Sequence, residues 1–437
     1  MGKSNSRSRN VLVFPAGTEI GLEIYQALKS CKEVILHGAS QNISNHAEYL
    51  FDSYHLLPKI NDVNFEDELV RLIGVLGIDY IFPAYDDAII ELTKLQDKLS
   101  AKVLAPKFEV CKITRSKFNT YEFLKGVIPV PHVYSSILDV KSYPVFVKPD
   151  IGQGSNGAIL VSNAAELKRI TASGGKQIIC EYLPGEEYTV DCFTDRDKGL
   201  LYASARVRNR IRNGIAVNTK SINLDLSHKY AELIGDALGI HGAWFFQLKK
   251  SATGELKLLE VAPRIAGSMA LHRAHGVNFP LLTIFEHERL PISIIENPGN
   301  LVLDRALSNR YRHNINFDNL YVDLDDTLIV RGEVNIDLVS LIYQSINKSR
   351  RIILITRHKG CLKDTLNKHR LTDLFDEIIH LKSGEKKSDY IFRENSILID
   401  DSFSERRDVH DNIGALTFDT SMVEMLRCGT CDENLKI

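Results

Sequence analysis

The chain has 437 residues, of which 44% are hydrophobic and 25% are charged, and its formal net charge is −2. This length predicts about two to four globular domains, and the near-zero charge gives no indication of nucleic-acid or membrane binding. No apolar run reaches the ~20 residues that span a bilayer. The seven cysteines, an odd number, argue against a disulfide framework and favour a cytoplasmic protein.

Residues 1–10 are polar, and we expect them to form a flexible leader. Gly2 and Ser6 match the N-myristoylation pattern, but short polar tails often match it by chance. Residues 11–110 then predict a strand at 11–16, a helix at 22–30 and a further strand in EVILHGAS. Strands that alternate with helices are typical of a doubly wound parallel sheet, so a Rossmann-like α/β domain is expected here.

Asp86 and Asp87 follow a predicted strand, at the edge where open α/β sheets bind ligands. The alternative is that they cap the following helix, and the residues alone leave both interpretations open.

Residues 143–161, YPVFVKPDIGQGSNGAILV, consist of two apolar runs joined by a glycine-rich turn, which is typical of a β-hairpin. Lys148 lies near the end of the first run. Gly152, Gly154 and Gly157 allow backbone N–H groups to approach phosphate oxygens closely. The pattern indicates a loop that closes over a phosphate-containing ligand.

Four arginines alternate at Arg206, Arg208, Arg210 and Arg212. On a regular strand they would share one face, where they would repel each other unless an anion lay among them. We expect Arg208 and Arg212 to bind substrate or polyphosphate. The alternative is an irregular loop with solvated charges.

The motifs occur in a recognisable order: Lys148 before the glycine-rich loop, EYL at 181–183, Glu187, and then Gln247 and Glu260 on paired strands ahead of PR at 263–264. In this order they resemble the ATP-grasp ligases, over residues 11 to about 310. The resemblance implies a pre-ATP-grasp domain at 11–110 and an α+β ATP-grasp domain at 111–312.

The resemblance also implies roles for individual residues. The backbone of residues 181–183 would contact adenine, and the Glu187 carboxylate would accept from the ribose hydroxyls. The implied nucleotide-binding set is Lys117, Lys148, Gly152, Gly154, Ser155, Gly157, Glu181, Tyr182, Leu183 and Glu187.

Gln247 and Glu260 would bind Mg²⁺, with Mn²⁺ as an alternative ion, through the oxygen ligands that magnesium prefers. Ala262 stands where the family usually has an asparagine ligand. Arg264 would act in catalysis, and Ser268 and Asp86 would contact substrate.

The segment NLYVDLDDTLIV at 319–330 is an apolar strand that ends in three aspartates. Such a cluster is costly to desolvate and implies a cation. Asp323 and Asp325 resemble the first motif of the haloacid dehalogenase (HAD) phosphatases. The later motifs of that family are matched in order by Thr356, by Lys387 or its neighbour Lys386, and by Asp400.

This second resemblance implies that Asp323 is the nucleophile and Asp325 the acid/base. Thr356 would bind the phosphoryl group and Lys387 would supply positive charge. Asp323, Asp400 and the backbone oxygen of Asp325 would bind magnesium. The short spacing leaves no room for a cap domain, which fits either a large substrate or a site covered by the preceding domain.

Together the resemblances imply an α/β chain that ends in a HAD Rossmannoid domain at 318–437. They imply a bifunctional enzyme that joins a carboxylate to an amine through an acyl-phosphate, using ATP and Mg²⁺, and also hydrolyses a phosphomonoester. ATP-grasp ligases are often dimers, so a homodimer is compatible with the resemblance, although the sequence does not determine the oligomeric state. The alternatives are a kinase-like or carbamoyl-phosphate-type enzyme, an ATP-binding module that regulates the phosphatase, and a HAD half with a purely structural role.

Overall fold

The computed structural model describes residues 8–152, 156–172, 176–212 and 214–431. The chain divides into two compact units, Met1–Leu307 and Ser308–Ile437. The first strand begins at Arg9, so residues 9 and 10 belong to the sheet and not to the expected leader. Within the described residues, no helix is both long and apolar enough to cross a membrane.

The larger unit begins with a parallel sheet in the order β3-β2-β1-β4-β5, and its strands alternate with helices as the sequence predicts. Val11 to Phe14 are fully buried in the central strand, which explains the unbroken apolar run. The short strand β3 was not predicted. The elements are β1 Arg9–Phe14, α1 Glu19–Leu28, β2 Val34–Ser40, β3 Ser53–Leu56, α2 Phe65–Leu76, β4 Tyr80–Pro83, α3 Asp86–Lys94 and β5 Lys102–Val103.

Two antiparallel sheets follow in the same unit. A four-stranded sheet has the order β6-β9-β7-β8, and a six-stranded sheet has the order β14-β13-β10-β11-β12-β15. The elements are α4 Phe108–Arg115, α5 Lys117–Leu124, β6 Val133–Tyr134, β7 Val145–Pro149, β8 Ile159–Val161, α6 Ala164–Thr171, β9 Gln177–Glu181, β10 Glu187–Asp195, β11 Gly199–Arg212, β12 Ile215–Ile222, α7 Ser227–Leu238, β13 Gly242–Lys250, β14 Leu256–Ala262, α8 Ala270–Ala274, α9 Phe279–His287 and β15 Val302–Asp304.

One hydrophobic core joins the parallel sheet to the six-stranded sheet. Val11 and Val13 from β1 belong to the same buried cluster as Phe193, Phe245 and Ala262. Burial of this apolar surface removes it from water and is the main favourable term that holds the two sheets together. The ends of both sheets are therefore fixed relative to each other within this unit.

The smaller unit contains a parallel sheet in the order β21-β20-β17-β22-β23. Strand β17 is central, so the carboxyl ends of its neighbours β20 and β22 lie beside its own. The elements are β16 Tyr311–His313, β17 Asn319–Val322, β18 Ile329–Val330, β19 Glu333–Val334, α10 Ile336–Asn347, β20 Arg351–Thr356, α11 Leu362–His369, β21 Glu377–His380, β22 Ser396–Ile399, α12 Phe403–Ile413, β23 Leu416–Phe418, α13 Val423–Cys428 and β24 Gly429–Cys431.

Candidate active sites

The predicted hairpin around Lys148 is present, since β7 and β8 pair antiparallel from Val145 to Val147. Lys148 is 7% exposed, and its Nζ donates to Tyr121 Oη at 2.7 Å. The Tyr121 hydroxyl in turn donates to the backbone oxygen of Leu259 at 2.7 Å. Tyr121 thus joins the hairpin lysine to strand β14, one residue before Glu260.

A second lysine, Lys117, begins helix α5 and faces the start of the glycine-rich loop. Its Nζ donates to the backbone oxygen of Gly152 at 3.0 Å. Burial lowers the pKa of Lys117, while Glu260 acts in the opposite direction. Two ammonium groups therefore approach the same cleft from a helix and a strand, which suits a polyphosphate.

Most of the predicted nucleotide-binding residues line this cleft. Those that line it are Lys117, Lys148, Gly152, Glu181, Tyr182, Leu183 and Glu187, together with Gln247 and Glu260. Gly154 and Ser155 lie outside the described residues. Gly157 has φ 72°, and a Cβ there would lie 3.0 Å from Pro149 Cγ, so this turn requires glycine.

Gln247 and Glu260 face each other across paired strands β13 and β14. Cross-strand partners on one face have Cβ atoms about 5 Å apart, so an amide oxygen and a carboxylate are offered to the cleft together. These oxygen donors fit magnesium. Ala262, two residues beyond Glu260, pairs with Phe245, and neither side chain has an oxygen to contribute.

Arg208 also lines this cleft. Its Nη1 hydrogen-bonds to the Glu187 carboxylate and to Gln247 Oε1, the latter at 3.1 Å, while Nη2 donates to the backbone oxygen of Gly214 at 2.6 Å. Its Nε is buried without a hydrogen-bond partner. Arg208 therefore holds together the residues expected to contact ribose and metal.

The four alternating arginines do not share one face, so that expectation is wrong. The register of β11 against β12 shifts on both sides of Arg210, which breaks the alternation beyond Arg208. Carboxylates accompany three of the four: Arg206 contacts Asp191, Arg208 contacts Glu187 and Arg210 contacts Asp304. Arg212 is exposed and lies outside the residues that line the cleft.

Asp86 does not cap helix α3, whose N-cap is Tyr85 and has no side-chain cap hydrogen bond. Its carboxylate instead accepts two hydrogen bonds from Arg264. Burial acts to raise the pKa of Asp86, but the nearby Arg264 outweighs this effect and the pKa lies below its ordinary value. Ser268 is buried in the short helical turn that follows Arg264.

A buried polar cluster lies on the same sheet and was not predicted. Asp191 is fully buried and contacts Arg206 Nε at 2.8 Å and His272 Nδ1 at 2.9 Å. Burial opposes ionisation, but Arg206 and His272 outweigh it and lower the pKa of Asp191 to about 2. Asp191 holds the Nδ1 side of the His272 ring, whereas its Nε2 is buried without a hydrogen-bond partner.

A second candidate site lies at the carboxyl edge of the sheet in the smaller unit. Lys387 Nζ is 2.6 Å from Asp323 Oδ1 and 2.5 Å from Asp400 Oδ2. Lys387 is buried, whereas Lys386 is exposed and pairs with Asp408. The structure therefore brings Lys387, and not Lys386, to the aspartates.

The oxygens of Asp323, Asp400 and Asp401 lie within 4.8 Å of one another and could hold a metal ion. Three carboxylates fit magnesium, which takes oxygen ligands. Asp401, which accepts from Thr327 Oγ1 at 3.1 Å, was missing from the predicted ligands. Burial raises the pKa of Asp323 to about 7, although Lys387 acts in the opposite direction.

His358 links the two remaining predicted residues of this site, Asp325 and Thr356. Thr356 ends β20 and is fully buried, and its Oγ1 accepts the His358 N–H at 3.1 Å. The Asp325 carboxylate is 2.9 Å from His358 Nδ1. Neither His358 nor Tyr121 was predicted. The residues around an isolated histidine or tyrosine give no indication of which distant side chain it will contact.

Comparisons with known proteins bear on the fold. Residues 175–294 match the family model described as "ATP-grasp in the biosynthetic pathway with Ter operon". The biotin carboxylase domain of the Hydrogenobacter thermophilus 2-oxoglutarate carboxylase, solved as a dimer with MgADP, ADP and bicarbonate, superposes with a TM-score of 0.58 at 16% identity. That match covers 67% of this chain and 73% of the other. The chain contains an ATP-grasp fold.

Two ligases are also similar to parts of this chain. The L-amino acid ligase of Bacillus licheniformis superposes with a TM-score of 0.53 at 17% identity, over 64% of this chain and 74% of that one. A D-alanine–D-alanine ligase of Fusobacterium nucleatum subsp. nucleatum is 31% identical over 90 residues. The matched segment covers 20% of this chain and 31% of that ligase.

Proposed function

We propose that the larger unit is an ATP-dependent carboxylate–amine ligase. The observation that carries this proposal is the single cleft in which Lys117 and Lys148 face Gln247 and Glu260. Similarity to a D-alanine–D-alanine ligase and to an L-amino acid ligase supports it. The MgADP bound to the similar carboxylase domain supports ATP as the nucleotide and Mg²⁺ as the metal.

In this proposal a substrate carboxylate oxygen attacks the γ-phosphorus of ATP, and the bond to ADP breaks. The amine nitrogen then attacks the acyl carbon, the bond from that carbon to the phosphate oxygen breaks, and phosphate leaves as the nitrogen loses one proton to solvent. Lys117 and Lys148 stabilise the negative charge that is shared during phosphoryl transfer, the largest contribution in such reactions. Arg264, held by Asp86, supplies a further positive charge on the β14 side.

The remaining cleft residues bind and orient the nucleotide. Residues 181–183 offer fixed backbone donors and acceptors to the base, and Glu187 accepts from the ribose hydroxyls. Gln247 and Glu260 would hold Mg²⁺. When bound, the ion neutralises phosphate charge and polarises the transferring group.

We propose that the smaller unit is a phosphomonoesterase. Asp323 attacks phosphorus and the ester bond breaks, while Asp325 protonates the leaving oxygen. Water then attacks the phosphorus of the aspartyl-phosphate, the bond from Asp323 to phosphorus breaks with release of phosphate, and Asp325 accepts the proton from water. The support is that Asp323, Lys387 and Asp400 meet at one sheet edge, with the Thr356 hydroxyl at the end of the neighbouring strand. Asp323, Asp400 and Asp401 would hold Mg²⁺, which balances charge on the phosphoryl group.

The test of the ligase is ADP release from ATP and magnesium, screened over pools of carboxylates and amines. The Asp323→Asn variant is used so that phosphatase activity does not alter the phosphate count. Carboxylate-dependent ADP release that leads to an amide supports the ligase, and ADP release without amide identifies a kinase-like enzyme. ATP binding without ADP release favours a regulatory module, for which the missing oxygen ligand at Ala262 is the structural reason.

The test of the phosphatase is hydrolysis of p-nitrophenyl phosphate by the wild-type chain and by Asp323→Asn. Loss of hydrolysis in the variant, with ATP binding retained, supports the nucleophile. Equal rates in the two proteins contradict it.

A further inference from the structure

His358 makes a short chain of hydrogen bonds that ends on the proposed acid/base of the smaller unit. Its Nδ1 lies 2.9 Å from Asp325 Oδ1 and 3.0 Å from Oδ2. Its Nε2 lies 2.9 Å from Thr365 Oγ1, on helix α11. The ring therefore bridges a partly exposed carboxylate and a helix.

The chemistry of the partners sets the direction of these hydrogen bonds. An ionised carboxylate only accepts, so His358 Nδ1 carries the hydrogen and donates to Asp325. With Nδ1 as the donor, the Nε2 of a neutral imidazole is an acceptor, and the Thr365 hydroxyl donates to it. Thr365 thereby favours the one tautomer that can hold Asp325.

The backbone of His358 is held on both sides. Its N–H donates to Thr356 Oγ1 at 3.1 Å, and its carbonyl accepts from His380 Nε2 at 2.8 Å. A Cβ added at Gly360 would lie 3.0 Å from His358 Nε2, so the absence of a side chain there leaves space for the ring. The imidazole is thus fixed by its backbone, by Thr365 and by the shape of the following turn.

Asp325 needs such support because it is otherwise poorly held. Its side chain is 53% exposed, and its described side-chain hydrogen bonds are both to His358. A free carboxylate rotates among several orientations, whereas proton transfer requires one of them.

We propose that His358 is a positioning residue that orients the Asp325 carboxyl toward the oxygen of the leaving alcohol, with Thr365 selecting its tautomer. This inference rests on the proposed phosphatase function. In the assisted step the bond from phosphorus to the ester oxygen breaks, a bond from Asp323 to phosphorus forms, and the Asp325 proton passes to the departing oxygen. While one Asp325 oxygen carries that proton, the other still accepts from His358 Nδ1, so His358 keeps its hydrogen bond in both forms of Asp325 and exchanges no proton.

The experiment compares two substrates with the full chain. Glycerol phosphate has a poor leaving group that needs protonation, whereas p-nitrophenyl phosphate has a good one that does not. Because a positioned general acid contributes about 10²–10⁴-fold, His358→Ala should lower kcat about tenfold or more on glycerol phosphate and much less on p-nitrophenyl phosphate, with KM little changed. The exposed His410→Ala serves as the matched control.

Two further variants separate positioning from a general structural effect. In His358→Asn the side-chain amide replaces Nδ1 as a donor, and most of the loss on glycerol phosphate should be recovered. Thr365→Val keeps the volume but cannot donate to Nε2, so a partial loss with the same dependence on leaving group is expected. It also keeps the proposal testable if His358→Ala does not fold.

The outcomes distinguish this proposal from the function on which it rests. If wild type and Asp323→Asn hydrolyse both substrates equally, the phosphatase function fails and the positioning role fails with it. Two outcomes overturn only the positioning role, given that Asp323→Asn is inactive. In the first, folded His358→Ala matches wild type. In the second, its kcat falls equally on both substrates. The positioning role is also overturned if His358→Asn hydrolyses glycerol phosphate no faster than His358→Ala.

Discussion

The guanidinium of Arg264 and the carboxylate of Asp86 meet at two points, with Nε 2.5 Å from Oδ1 and Nη2 3.1 Å from Oδ2. The pair joins the end of β14 to the first turn of α3, and the two residues are 178 positions apart in the chain. Arg264 also lies over the Phe245 ring, 5.2 Å from its centroid. Asp86 therefore orients the arginine proposed to act on the phosphoryl group.

Asp86→Ala should lower both stability and ADP formation. Removing one partner of a largely buried ion pair leaves the other charge unpaired. The free energy of unfolding should fall by about 3 kcal/mol, the lower end of the range for buried pairs, because both side chains keep some exposure. Chemical denaturation measures this loss. Asp87→Ala is the matched control, because Asp87 is 54% exposed and its pair with Arg115 should be worth less than about 1 kcal/mol. Equal losses in the two variants would contradict a special role for Asp86.

Tyr121→Phe should weaken ATP binding. The change removes the acceptor of Lys148 and leaves the backbone oxygen of Leu259 without its described donor, so the lysine is less well fixed. We also expect about 1–3 kcal/mol of destabilisation from the unpaired buried groups. Titration calorimetry with ATP and thermal unfolding provide the two measurements. The exposed Tyr343→Phe is the control, and unchanged ATP affinity in Tyr121→Phe would rule out this support for Lys148.

Arg208→Met should weaken the binding of ATP more than that of adenosine. The variant removes a positive charge from the cleft, and only the ligand with phosphates depends on that charge. We expect a loss of about tenfold or more for ATP, since hydrogen bonds to charged groups are worth ~1.5–3 kcal/mol. Arg210→Met is the control, because Arg210 is exposed and pairs with Asp304. Equal losses for ATP and adenosine would show that Arg208 acts only by holding Glu187.

Asp191 should make the stability of the larger unit depend on pH in the acid range. Its pKa is lowered from 3.8 to about 2, so its contribution is complete above about pH 4 and is lost as the pH falls toward 2. Denaturation of wild type and Asp191→Asn between pH 2 and 6 should show a difference in unfolding free energy that shrinks as the pH falls. A difference that is constant over this range would contradict the ionised buried carboxylate.

Local patterns predicted much of the fold around the candidate sites. The two apolar runs and glycine turn at 143–161 predicted the β7–β8 hairpin, and the strand ahead of Asp323 predicted β17. These predictions succeed because strand and turn preferences depend on neighbours in the chain. The alternation at Arg206 to Arg212 failed because a register shift against β12 depends on the partner strand.

The sequence by itself determined the order of strands and helices and which residue types stand at strand ends. Only the tertiary structure decided which charged groups meet. Lys386 and Lys387 have almost the same local sequence, yet the first is 61% exposed and the second 2%. Two other contacts likewise form only after distant strands pack: the one between Asp86 and Arg264, and the one between His358 and Asp325. The physical reason is that burial and ion pairing depend on long-range packing, whereas secondary structure follows from the local chain.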